Sequence, residues 1–149
     1  MLASRIELRE IRMRLLHPFE TSFGVTQDRR ILLVAVSDGT QQGYGEVTAG
    51  EGPFYSHETI DTAWYILGQF IVPRVVGQSI EGPRDLRPFV ESIRGHNMAK
   101  GGLEAALWDL EARRQNQPLW KMLGGTREEI ACGVSIGIQP SIDRLLEVI

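Results

Sequence analysis

What this chain has little of narrows it first. It carries a single cysteine, Cys132, among 149 residues, so an internal disulfide framework is excluded and a reducing, cytoplasmic setting is the expectation. Cys132 lies in an apolar run and reads as a small buried hydrophobe. Lysine is almost missing: of 16 basic residues only Lys100 and Lys121 are lysines. The three histidines, His17, His57 and His96, are far apart and form no paired-histidine metal motif, so each reads as a surface or turn residue. No apolar run approaches the ~20 residues of a membrane span. The N-terminus, MLASRIELREIRMRLL, interleaves charge with apolar residues and lacks the core of a secretory signal. A net charge of -3 gives no electrostatic footing for nucleic acid or an anionic membrane. Gly43-Tyr44-Gly45 is a strand feature, not a phosphate loop. Strands with successive inward acidic residues, as an oxygen-ligated Mg²⁺ site needs, are also lacking.

What is present is ordinary in amount, 42% hydrophobic and 23% charged, and a chain of this size buries roughly 68–70% of its unfolded surface. Its order is informative. Ile6 and Leu8, then Ile11, Met13 and Leu15, alternate with charged residues, which predicts a half-buried strand with a bulge near Arg9-Glu10. Arg30–Val36 is a nearly continuous β-branched run and predicts a central strand, followed by turn chemistry at Ser37–Thr40 and a returning strand at Gly43–Val47. Ile60, Trp64, Leu67 and Ile71 predict a helix capped by Ser56 and closed by Pro73. Leu86, Phe89, Val90 and Ile93 predict another, opened by Gly82-Pro83.

The stretch 98–125, MAKGGLEAALWDLEARRQNQPLWKMLGG, predicts a long helix with Leu103, Ala106, Leu107 and Leu110 on one apolar face. Its small residues, Gly101, Gly102, Ala105 and Ala106, allow another element to approach closely. Asp109 is a carboxylate in a greasy run and needs a partner, an arginine or a helix N-terminus. Pro118 ends the helix, and Leu119, Met122 and Leu123 form a short second one before Gly124-Gly125. The stretch 131–138 then reads as a strand and 141–149 as an amphipathic helix without a stop signal, together resembling the first βα unit of a parallel array; the chain reads as a fragment.

Two loops stand out. In 17–27, HPFETSFGVTQ, Phe19 and Phe23 either pack beneath the strands or line a pocket. In 48–55, TAGEGPFY, Gly50, Gly52 and Pro53 suit a mobile lid and equally an ordinary strand-to-helix connection.

Several strings resemble the enolase superfamily. They are Ala105-Ala106-Leu107-Trp108-Asp109, Gln117-Pro118-Leu119 and Met122-Leu123-Gly124-Gly125, which match the end of its N-terminal capping domain. Pro18–Gly24, Gly43–Glu46, Gly52–Ser56, Gly95–Glu104 and Gly133–Ile138 resemble the o-succinylbenzoate synthase/N-acylamino acid racemase branch. The resemblance spans essentially the whole chain. It implies an α+β fold: a three-stranded antiparallel meander (4–47) and a helical bundle (56–124) form a capping domain over 1–128. Residues 129–149 would then begin a truncated TIM-type barrel.

The implied activity is proton abstraction α to a carboxylate, by a lysine base with Mg²⁺ or Mn²⁺ stabilising the enediolate. In that branch a Lys-x-Lys on barrel strand two, a lysine on strand six and metal ligands on strands three to five do this work. Neither Lys100 nor Lys121 matches such a position, so no catalytic residue, no metal ligand and no bound cofactor is expected in this chain, which alone should be inactive. The resemblance assigns substrate contacts to Phe19, Thr21, Ser22 and Phe23 in the first loop, Gly50, Glu51 and Tyr55 in the second, and Ser135 at the end of the first barrel strand. The implied partners are a small carboxylic acid and further copies of the full-length enzyme in a homo-oligomer. Muconate cycloisomerase and dipeptide epimerase relatives, or a non-catalytic binding module, are the alternatives.

Overall fold

A computed structural model describes residues 1–22 and 24–149. Three antiparallel strands, β1 (Arg5–Thr21), β2 (Gly24–Ser37) and β3 (Gln42–Val47), form one sheet in the order β1-β2-β3. The continuous apolar run therefore does occupy the central strand. Alternation then sorts the two faces. Ile6, Leu8, Leu32, Val34, Val36 and Val47 share the face against which the helices pack, with Leu32, Val34 and Val36 fully buried.

The expected bulge near Arg9-Glu10 is not there. Pairing runs unbroken from Arg5↔Ser37 to Arg14↔Asp28, and the irregularity falls between Arg14 and Phe19, where Leu15 to Pro18 stand against Gln27. The apolar residues change parity after Leu8 for a different reason. On the helix-facing side the row Ile6, Leu8 continues as Glu10 and Arg12, opposite Leu32 and Arg30. The core ends there, and charged residues replace apolar ones.

The helical layer begins with α1 (Ile60–Ile66), which runs through a π-helical stretch (Leu67–Ile71) into α2 (Val72–Val75). Its cap is Thr59 rather than Ser56. Thr59 Oγ1 accepts from Thr62 N–H at 3.2 Å, while Thr62 Oγ1 accepts from Thr59 N–H at 2.9 Å. Ser56 Oγ instead accepts from Glu58 N–H. Pro73 does not close the helix: the wide π turn, with Val72 N–H bonded to Leu67 O, absorbs the donor that proline lacks. Leu67, Ile71 and Val75 lie on the core side with Ile60 and Ala63, while Trp64, in the α-helical turn before the π stretch, is 42% exposed rather than inward.

A 3₁₀ turn (Pro83–Leu86) leads into α3 (Arg87–Val90), opened by proline as the sequence indicated. The long helix α4 (Asn97–Arg114) follows, then α5 (Leu119–Met122) and α6 (Ile142–Val148). Helix α4 lies directly on β3. A Cβ on Gly43 would stand 2.2 Å from Leu110 N, and one on Gly45 2.1 Å from Gly102 O. The backbones touch because glycine faces glycine and alanine. Asp109, half-buried, finds two partners: its Oδ2 accepts from Tyr44 N–H on the edge strand β3 at 2.9 Å and from Arg113 Nε–H at 2.9 Å.

The strand expected over 131–138 does not form. Among the described residues no strand pairs with it, and a barrel strand owes its pairing to parallel neighbours. Cys132 is accordingly exposed rather than buried, and α6 buries none of its residues.

Candidate functional site

The first loop proves to be the outer end of the β1/β2 hairpin. Phe19 pairs with Thr26, Glu20 with Val25 and Thr21 with Gly24, so the strands continue to the tip. Phe19 does not pack beneath the sheet: it is 61% exposed, and Leu16 and Val25 of the same hairpin are exposed as well. Thr21 Oγ1 donates to Gly24 O at 3.3 Å, and Ser22 is exposed. Phe23 lies outside the described residues. The hairpin thus carries exposed apolar side chains, Leu16, Phe19 and Val25, beyond the buried part of the sheet.

The second loop leaves β3 and returns into α1. Its neck is closed by Ile60 N–H donating to Gly50 O at 2.9 Å, with Gly50 and Thr59 bridged in parallel. Glu51 Oε1 accepts from Arg30 N–H at 3.2 Å. Phe54 and Tyr55 project into solvent. Ends pinned together around a protruding segment make a compact Ω-type loop.

Arg30, which the sequence did not single out, joins the two loops. It is the next helix-facing residue of β2 outward from Leu32, where the hairpin leaves the core. Its guanidinium forms a two-pronged pair with Glu10 (Nε–Oε1 2.8 Å, Nη2–Oε2 2.9 Å) and a second with Asp61 on α1 (Nη2–Oδ1 2.6 Å, Nη1–Oδ2 3.2 Å). The hydrogen bonds from Arg30 hold both the Glu10 and the Asp61 carboxyls below the ordinary carboxylate range, and these two acids raise Arg30 in turn. The parity break at Glu10 was the sequence signal for this cluster.

Glu58 was also missed. It is the one charged or polar residue among the described buried ones, and its carboxylate oxygens accept from Met98 N–H at 3.0 Å and Ala99 N–H at 3.2 Å. It caps α4 from another element, because His96, in left-handed conformation at the N-cap, provides no side-chain cap. The second loop is thereby tied to the longest helix as well. Ser135 stands apart from all this, exposed on the stretch without strand pairing.

At the opposite end of the sheet, Asp38, Thr40, Gln41, Glu111, Arg114 and Gln115 line an open cleft containing none of the expected contact residues. Among the described residues, no three His, Cys, Asp or Glu side chains converge to hold a metal ion, so the described part of this chain does not fit a divalent-metal site. Among the described residues, no helix is long and apolar enough to cross a membrane.

Comparison with known proteins gives a consistent picture. Residues 5–124 match the family model of the mandelate racemase/muconate lactonizing enzyme N-terminal domain. The chain is 47% identical over 143 residues to the o-succinylbenzoate synthase of Geobacillus kaustophilus, covering 95% of this chain and 38% of that protein. It is 42% identical to the N-succinylamino acid racemase of Thermus thermophilus, covering 96% of this chain and 39% of that one. A crystal structure of an enolase-superfamily member from Listeria innocua superposes with a TM-score of 0.91 at 32% identity, over 99% of this chain and 40% of that chain. The chain thus spans about two fifths of the length of the relatives it matches.

Proposed function

Because the chain belongs to the mandelate racemase/muconate lactonizing enzyme N-terminal domain family, we propose that it is the capping portion, 1–128, and the start of the barrel, 129–149, of an enzyme that abstracts a proton α to a carboxylate. The reaction is dehydration of a succinylbenzoate precursor, racemisation of N-succinylamino acids, or both through one enediolate intermediate. The observation that carries this reading is the 47% identity to an o-succinylbenzoate synthase across 95% of the chain, beside 42% identity to an N-succinylamino acid racemase. The base and the divalent metal belong to barrel strands outside these residues, and no step is assigned to groups of this chain. What this chain contributes is a cover. Phe19, Thr21, Ser22 and Phe23 on the hairpin, with Gly50, Glu51 and Tyr55 on the second loop, close over the barrel mouth and exclude water from the acid; Ser135 contacts it from the first strand. Exclusion of water strengthens every electrostatic contact the barrel makes with the substrate. The apolar hairpin side chains, exposed here, suit such a cover.

The test is direct. The full-length protein should dehydrate the succinylbenzoate precursor or racemise N-succinylamino acids, lose that activity to a chelator and regain it with Mg²⁺ or Mn²⁺. Residues 1–149 alone should turn over neither. Turnover by the isolated 149 residues, or none by the full-length enzyme on either acid, would overturn the reading.

A further inference from the structure

We propose that Arg30 is a positioning residue that fixes the hairpin and the second loop to each other, so that the two are presented to substrate as one unit. The joint itself stands on the geometry; its effect on substrate rests on the cover reading above.

Both ends of the second loop terminate on this one residue. At the start, Glu51 takes the Arg30 backbone N–H; at the end, Asp61 takes two hydrogen bonds from its guanidinium. The remaining prong goes to Glu10, on the strand that runs out into the hairpin. Strand β1, strand β2, the loop and α1 therefore meet at a single residue, the loop through its backbone N–H and β1 and α1 through its side chain, at the point where the apolar core gives way. Four N–H groups of the guanidinium are committed to carboxylates, out of the five it owns. That leaves no fork for a substrate carboxylate, and it makes Arg30 a residue that acts through others. The planar fork matters: lysine, a point charge on a flexible stem, cannot serve two carboxylates with fixed geometry. Arg30 side chain is 23% exposed and Glu10 29%, so the joint is partly shielded from solvent, unlike the open pairs elsewhere on β1.

Arg30→Met and Arg30→Lys in the full-length protein test this, with Asp61→Asn as the variant that leaves folding alone, since Asp61 is 70% exposed. Hydrogen exchange should quicken together in 52–59 and in the hairpin tip, with α4 protection unchanged, in the order Met, then Lys. Asp61→Asn should show the same joint loosening on a smaller scale. With substrate, Arg30→Met should raise KM roughly tenfold to a hundredfold, the scale of a misplaced contact, with kcat within about twofold, and Arg30→Lys should recover part of it. Loosening of one loop without the other, or of neither, in Asp61→Asn overturns the joint, even where Arg30→Met fails to fold. Joint loosening with unchanged KM leaves the joint standing and instead overturns the assignment of these loops to substrate contact.

Discussion

Gly45 of β3 and Gly102 of α4 meet backbone to backbone: a Cβ on Gly45 would lie 2.1 Å from the Gly102 carbonyl oxygen and 2.7 Å from Ala106 N. Neither atom is the end of a flexible side chain, so the helix itself would have to move. Gly45→Ala should therefore destabilise by about 1–3 kcal/mol or more, the overpacking range, read as a lower urea midpoint. Gly101, one residue from Gly102, faces open space. Gly101→Ala should raise stability by about 0.5–1 kcal/mol through helix propensity alone. Equal effects at the two sites would show that α4 does not lie on β3 as described.

Glu58 gives a second stability test. Removing its carboxylate in Glu58→Ala leaves the Met98 and Ala99 amides without the acceptors they have now, in a partly to fully buried place. The expected loss is about 1–3 kcal/mol, the cost of unsatisfied buried donors. Glu58→Gln keeps one acceptor oxygen and should lose less. Amide exchange at Met98 and Ala99 should quicken in both variants before that of Leu107, farther along the same helix.

These two sites also show how far the sequence could be read. The crowding of Gly101, Gly102, Ala105 and Ala106 announced a close helix contact, and the β-branched run Arg30–Val36 announced a central strand, because periodicity and residue size are local properties. The cap on α4 was hidden: its donor helix and its acceptor are 40 residues apart, and the only hint was the missing capping side chain beside His96. Trp64 was misplaced because its neighbour Ala63 takes the inward position of that helical turn, and no residue pattern apart from Pro73 signals the π turn that follows. The parity break at Glu10 was visible and pointed to a bulge; pairing with Arg30, a long-range fact, was what it meant. Of the two segments expected as loops, 17–27 is strand nearly to its tip and 48–55 is a loop, while Arg30, the residue that joins them, lay in a strand and drew no notice. The strand over 131–138 was legible as a pattern yet has no partner to pair with here.

Acid should weaken the Arg30 joint in a defined direction. The Arg30 hydrogen bonds depress both Glu10 and Asp61. A carboxyl depressed in the folded state adds stability above its unfolded value, and that stability is lost as pH falls through the lower folded value. Wild-type protein should thus lose stability progressively below about pH 4, near the unfolded carboxylate range. Arg30→Met, which lacks the pair, should show a shallower decline, so the gap between the two urea midpoints closes toward pH 2. A gap that stays constant from pH 6 to pH 2 would mean that the ion pairs contribute nothing and that the methionine variant differs only in packing.

Phe19 separates a covering role from a packing role. Its side chain is 61% exposed at the hairpin tip, whereas Leu110 on α4 is fully buried in the core. Leu110→Ala should cost about 2–5 kcal/mol of stability, as for other buried leucines, with kinetics of the folded fraction unchanged. Phe19→Ala should do the reverse in the full-length enzyme: melting shifts little, and kcat/KM falls by about 1–3 kcal/mol equivalent, the range for a lost apolar pocket contact. Phe19→Leu, which restores most of the apolar area, should recover much of that loss. A fall in melting temperature in Phe19→Ala larger than its 61% exposure leads one to expect would point to packing contacts instead. Such a fall with normal kinetics would place Phe19 in a packed contact rather than over the barrel mouth.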